Sequence, residues 1–187
     1  MPTIRKYQEK DREDVRYVLV QTGSPKAREK DGPARAMQQA TYCDYYLDYE
    51  PHNCFVIAND EDRAVGFILC TEDYRVYIKR FMRDYAPRTK GMPLPLRVEC
   101  IGAARMPRLF VKKYPAHLHI DILQDYQRMG LGHKLMDALI AHLREKGVPG
   151  LMLGVGAGNV KGRNFYHKYG YKKLLRIPSS VVMGIEL

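Results

Sequence analysis

Leu131, Leu135, Leu139 and Leu143 recur at intervals of four, and Met136 and Ile140 widen the stripe. That spacing lays an apolar face along a helix. Glu145 and Lys146 close it, Gly147 is placed to cap its C-terminus, and Pro149 forbids continuation. A period of two takes over on either side. His117 to Leu123 predicts a strand before the helix, and Leu151 to Val155 predicts one after it. Asn159 to Gly170 reads as a short helix. Toward the front, Thr3 to Tyr7 predicts a strand. Asp11 to Gln21 predicts a helix with Val15, Val18 and Leu19 on one face. Asn53 to Asn59 and Ala64 to Thr71 predict a hairpin joined by the polar turn Asp60-Glu61-Asp62-Arg63.

The junction between the strand at 117–123 and the long helix carries the first chemical signal. It reads Gln127-Arg128-Met129-Gly130-Leu131-Gly132. A glycine-rich turn between strand and helix gathers backbone N–H groups at the positive end of the helix dipole. Such a turn is a site for a phosphate or pyrophosphate. Strand, helix and strand in this order also fit a dinucleotide-binding unit, but two features oppose that. Leu135 stands where the third glycine of G-x-G-x-x-G belongs. The acid expected roughly 20 residues on is also missing, since 151–158 holds no carboxylate.

The later segment Asn159-Val160-Lys161-Gly162-Arg163-Asn164-Phe165-Tyr166-His167-Lys168-Tyr169-Gly170-Tyr171 supplies a second motif. With it the chain resembles the GCN5-related N-acetyltransferase (GNAT) family. Gln127, Gly130 and Gly132 match that family's pyrophosphate loop. Asn159, Phe165, Tyr166, Gly170 and Tyr171 match its Asn-x-x-Ala-x-x-Phe-Tyr-x-x-x-Gly-Phe segment, with Gly162 in place of Ala. The stretches Tyr45 to Tyr49 and Val65 to Phe67 are also similar to the acetyltransferase-like domain attached to some O-GlcNAc hydrolases. The resemblance implies an α/β fold of α+β type. In it a twisted mixed sheet of about seven strands is flanked by helices, with strands 4 and 5 splayed.

It also implies a site. Acetyl-CoA is the expected cofactor, its pyrophosphate on the amides of Arg128, Met129, Gly130, Leu131, Gly132 and His133. Its pantetheine arm is expected between the splayed strands, against the N–H and C=O groups of Ile122 and Leu123, with an N–H near Leu123 as oxyanion donor. Tyr166 is the expected general acid, since a phenol with pKa near 10 can protonate a departing thiolate; packing its ring in the core is the alternative. Asn159 is expected to bond the pantetheine amides or to cap the helix it precedes. The glutamate base of histone-acetylating members has no counterpart, because Ala116 stands there. His117, His119 and Asp121 alternate onto one strand face, so Asp121 and His119 are the candidate bases, with Glu99 a third.

Charge adds one region. Residues 74–113 hold eleven Lys or Arg against Asp84 and Glu99, which is +9 of the chain's formal +10. With Pro87, Pro93, Pro95 and Pro107, the segment predicts a short helix from Arg75 to Tyr85, an irregular loop, then a helix or strand to Lys113. It reads as an insertion on the acceptor side of a single domain spanning 1–187. Either it is a solvated basic surface or it receives an acidic acceptor or polyanion. Three functions follow: an N-acetyltransferase moving acetyl to a small-molecule or protein amine by direct attack in a ternary complex, a non-catalytic acyl-CoA-binding module, or a nucleic-acid binder through 74–113. A homodimer is kept open. Membrane partners are not expected, since no window approaches about 20 apolar residues. The charged N-terminus lacks a signal-peptide core, so a cytoplasmic location is expected. Cys43, Cys54, Cys70 and Cys100 are too widely spaced for a C-x-x-C pair, which favours free thiols over disulfides or zinc.

Overall fold

The computed structural model describes residues 1–187. Seven strands form one sheet in the order β1-β2-β3-β4-β5-β7-β6. They are β1 (Thr3–Lys6), β2 (Phe55–Ala58), β3 (Ala64–Thr71), β4 (Ala116–Ile122), β5 (Gly150–Gly156), β6 (Lys172–Arg176) and β7 (Ser180–Glu186). Every neighbouring pair is antiparallel except β4 and β5. The sheet is therefore mixed, as the resemblance implied.

β3 and β4 pair over their whole length, from Gly66 opposite Ile122 to Thr71 opposite His117. β4 and β5 pair only at Ala116 with Leu151 and at His117 with Met152. Beyond His117 they part, and the C-terminal half of β4 faces a wedge instead of a neighbour.

Helices cover both faces. On one lie α6 (Leu131–Glu145) and α7 (Val160–Tyr169), with Leu135, Leu139 and Leu143 buried against Ile57, Ile68 and Leu118. The leucine stripe thus lands where its period placed it. Gly147, at φ +70°, follows the end of α6. On the other face lie α1 (Arg12–Thr22), α2 (Pro33–Gln39), α3 (Tyr45–Tyr49), α4 (Tyr74–Asp84) and α5 (Leu94–Arg105). A single π turn, Ala40–Asp44, joins α2 to α3 without a break. The sequence pattern assigned no element to this stretch.

The basic segment is more ordered than its prolines suggested. α4 buries Tyr74, Tyr77 and Phe81 on one side, with Tyr85 just past its end. This spacing of three and four residues makes an aromatic ridge against Tyr45 and Tyr46 of α3. Pro93 and Pro95 open α5 instead of breaking it, because the first helical turn has no backbone bond for them to forfeit. The final stretch is helix only to Arg105, followed by one tight turn, Met106–Leu109. All four cysteines are free and buried. No helix is long and apolar enough to cross a membrane.

Candidate active site

The glycine turn after β4 presents backbone donors in a row. Arg128 and Gly130 take left-handed φ values of +63° and +75°. The N–H groups of residues 128 to 132 have no acceptor in the protein. A Cβ on Gly130 would meet nothing within 4 Å, so that backbone is open to a ligand. Gly132 serves packing instead: a Cβ there would lie 3.4 Å from the Phe165 ring of α7. His133 departs from expectation. Its N–H donates to the Gly130 carbonyl at 3.1 Å, and its ring packs edge-on to Phe165. The donor row therefore ends at Gly132. Gln127 stays exposed and folds back along the loop, its Nε2 donating to the Ile122 carbonyl at 2.8 Å.

Strand register corrects the expectation for Leu123. Its N–H donates to the Val65 carbonyl at 3.0 Å, on the β3 side. In an antiparallel ladder successive residues point their amides to opposite sides. Asp121 and His119 therefore turn theirs to β3 as well, while Ile120 and Ile122 turn theirs into the wedge beside β5. Only that second set can reach a ligand in the wedge; the Leu123 N–H, already bonded to Val65, cannot.

At the mouth of the wedge lies a cavity of about 190 Å³. His119 and Asp121 of β4, Tyr166 of α7 and Asn159 line it, together with Gln38 and Tyr42 from the helices opposite. Burial pushes the Asp121 carboxyl up to about 7, and the Thr22 hydroxyl opposes that shift. Burial and then the charge of Asp121 hold the Tyr166 hydroxyl above its ordinary range. Tyr166 is thus both a packed ring and a pocket group. Asn159 caps α7, its Oδ1 accepting the Gly162 N–H at 2.8 Å, while its amide N–H groups face no protein acceptor. A Cβ on Gly162 would come within 2.7 Å of Asn159 Nδ2, so glycine in place of the family's alanine gives the cap room.

One functional group escaped the sequence. The Tyr46 hydroxyl, fully buried on α3, lies 2.9 Å from His117 Nε2 and 3.0 Å from His119 Nε2. Burial pushes His119 down to about 4 and drives His117 well below its ordinary value, so both imidazoles are neutral near pH 7. Nothing local in the sequence marks Tyr46; only the packing of α3 under β4 brings it there.

No residue of 74–113 lines the cavity. Its cations have surface roles: Arg83 pairs with Asp84 at 2.7 Å, and Arg88 and Arg80 lie over the Tyr85 and Tyr49 rings. The segment expected to form the acceptor site thus supplies no side chain to this cavity's wall. Its apolar side is spent on the aromatic core, which leaves the charges facing outward. Glu99 is exposed on α5 and reaches the pocket only through its charge on Tyr42.

Known proteins share this fold. The acetyltransferase (GNAT) family model matches residues 24–171. The crystal structure of SsHAT is 28% identical, with a TM-score of 0.88 over 99% of this chain and 98% of that one. An agmatine N-acetyltransferase is 15% identical, with a TM-score of 0.70 over 100% and 99% of the two chains. The PaiA N-acetyltransferase from Thermoplasma acidophilum, solved with coenzyme A, is 15% identical with a TM-score of 0.64 over 100% and 99%.

Proposed function

The chain belongs to the acetyltransferase (GNAT) family, whose cofactor is acetyl-CoA, and on that footing we propose that it acetylates a primary amine by direct attack in a ternary complex. The observation that carries this reading is the convergence of Asp121 and Tyr166 on one cavity at the mouth of the β4–β5 wedge.

The residues present fit the cofactor. Five unpaired N–H groups at 128–132 suit a pyrophosphate, and the amides of Ile120 and Ile122 face the wedge where an extended arm can pair with them. Acetyl-CoA supplies the thioester and the leaving thiol. Asp121, pushed up to about 7, is suited to take a proton from the substrate's ammonium, which frees the nitrogen lone pair to attack the thioester carbonyl. A backbone N–H facing the wedge stabilises charge developing on the carbonyl oxygen. Tyr166 keeps its proton across the working range, because burial and the Asp121 charge hold it there; once Asp121 has taken the amine's proton that charge is gone, which eases transfer of the phenol's proton to the departing sulfur.

The cavity wall also bears on the acceptor. It carries one carboxyl group and no Lys or Arg. That favours an acceptor bearing no acidic group, against the expectation drawn from the basic segment. A panel of amines assayed for thiol release from acetyl-CoA tests the reading. Turnover should be found among neutral or cationic primary amines and should be lost in Asp121→Asn. Thiol release that is independent of any amine, or confined to acidic amines, would overturn it.

A further inference from the structure

We infer that His117, Tyr46 and His119 form a polarised strap in which Tyr46 fixes His119 as an N–H donor to the pocket, leaving Asp121 as the base. Tyr46 is then a positioning residue, acting on the reaction through His119.

The argument is a count of protons. The Tyr46 hydroxyl has one hydrogen and meets two imidazole nitrogens, His117 Nε2 at 2.9 Å and His119 Nε2 at 3.0 Å. Accepting from both would leave its own buried O–H without an acceptor, since the Tyr77 ring stacked beside it offers none in hydrogen-bond geometry; it therefore donates to one and accepts from the other. Both histidines are neutral, so each carries one ring proton. Two arrangements remain. In the first, His117 Nε2–H donates to Tyr46, and Tyr46 donates to His119 Nε2. In the second, both bonds run the other way.

His117 Nδ1 chooses between them. It is buried and has no hydrogen-bond partner. In the second arrangement it would carry a proton, and an orphaned buried N–H is the rarer and costlier defect. In the first it carries only a lone pair. The first arrangement therefore prevails. It leaves the single ring proton of His119 on Nδ1. That nitrogen has no partner in the protein, is not sealed off as His117 Nδ1 is, and belongs to a residue lining the cavity.

The surroundings do not reverse this. Tyr42 packs edge-on to His119 at 4.9 Å, and Tyr74 and Tyr77 pack on His117. Burial raises all three phenols above their ordinary value. Cys70 is likewise raised by burial, and the charge of Glu50 is felt at Tyr46 only after the burial and tyrosine effects. No cationic or anionic side chain touches the strap from α2, α3 or α4.

A donor at His119 and an acceptor at Asp121, two residues apart on one strand face, give the pocket opposite hydrogen-bond polarity on neighbouring side chains. An attacking amine needs that pairing: Asp121 takes its proton, while His119 Nδ1–H anchors an oxygen acceptor elsewhere in the complex. His119 cannot take the proton itself, since Nδ1 already holds one and Nε2 is bonded to Tyr46.

The kinetic arm of the test rests on the acetyltransferase reading; the spectroscopic arm does not. Long-range proton–nitrogen correlation spectra of protein labelled with [15N]histidine should show Nδ1 protonated in His119 and Nε2 protonated in His117. The signals are assigned by their loss in His119→Asn and His117→Asn. In Tyr46→Phe, His119 should lose its single tautomer, and the acetylation kcat should fall about tenfold with the KM for acetyl-CoA unchanged. A thermal melt of that variant reports whether it is folded. His119→Asn keeps a donor near the place of Nδ1, so it should keep the ascending limb of the pH–rate profile and lose less than about tenfold in kcat. An Nε2-protonated His119 in the parent protein overturns the inference. So does an ascending limb that vanishes in His119→Asn and survives in Asp121→Asn. If no amine is acetylated, the tautomer spectra still decide the strap while the functional reading fails alone.

Discussion

Asp121 and Tyr166, on different elements, share one cavity, and the charge of the carboxylate is felt at the phenol. Burial makes each less willing to become an anion, and the Asp121 charge adds to that at Tyr166. Under the proposed mechanism one of the pair gains a proton as the other gives one up.

For Asp121 the cost of that arrangement is visible in stability. Its carboxyl is raised from 3.8 to about 7, so the folded state binds the proton more tightly than the unfolded chain does. The stabilising effect of the bound proton is present in full below pH 3.8 and is lost as pH rises through about 7. Asp121→Asn should therefore raise the melting temperature at pH 8, by up to about 4 kcal/mol of added stability, and leave it unchanged below pH 4. Thermal melts across pH check this; a variant equally or less stable at pH 8 would mean that the carboxylate is better solvated than its setting implies.

The phenol is expected to matter for turnover and not for binding. Tyr166→Phe keeps the packed ring and removes the proton. It should lower kcat by roughly 10²-fold while the acetyl-CoA dissociation constant stays within about twofold. Steady-state kinetics with calorimetry separates the two, and an unchanged kcat would reduce Tyr166 to packing.

Cofactor binding should depend on the open backbone at Gly130. Gly130→Asp puts a carboxylate beside five N–H donors without a protein acceptor and strains a residue at φ +75°. Coenzyme A binding by calorimetry should be abolished. Equal affinity for parent and variant would place the pyrophosphate elsewhere.

Charge reversal on the basic helices should be nearly silent at the active site. Arg75 and Arg97 are exposed and belong to no wall of the cavity. The double variant Arg75→Glu with Arg97→Glu should keep the acceptor KM within about twofold at low salt, where long-range effects are greatest. A rise of tenfold or more would return the basic segment to the acceptor site.

The most regular parts of the chain were legible. The leucine period fixed α6, the alternation fixed β4, and Asn159 and Gly170 bracket α7 as read. Leu123 was misread because the motif located the wedge only to within a residue, and a slip of one residue turns every amide to the opposite side. Residues 33–49 escaped because the π turn at 40–44 breaks the 3.6-residue period that a helix search relies on. Between 74 and 113 the charges drew attention from the spacing of Tyr74, Tyr77, Phe81 and Tyr85, which would have disclosed a buried helix face. Tyr46 could not be found at all, since its contacts with His117 and His119 exist only once α3 lies beneath β4.

The short seam between β4 and β5 makes the sheet two leaves, one of four strands and one of three, stitched at two residues. Each leaf has its own covering helices, but the stitching is sparse where the cofactor arm is to lie. A ligand seated there supplies the missing rungs and works as a splice between the leaves. The three-strand leaf should accordingly exchange its amide hydrogens faster than the four-strand leaf in the free protein, and the gap should narrow when coenzyme A is added. A ligand that closed the wedge would be part of the scaffold it binds.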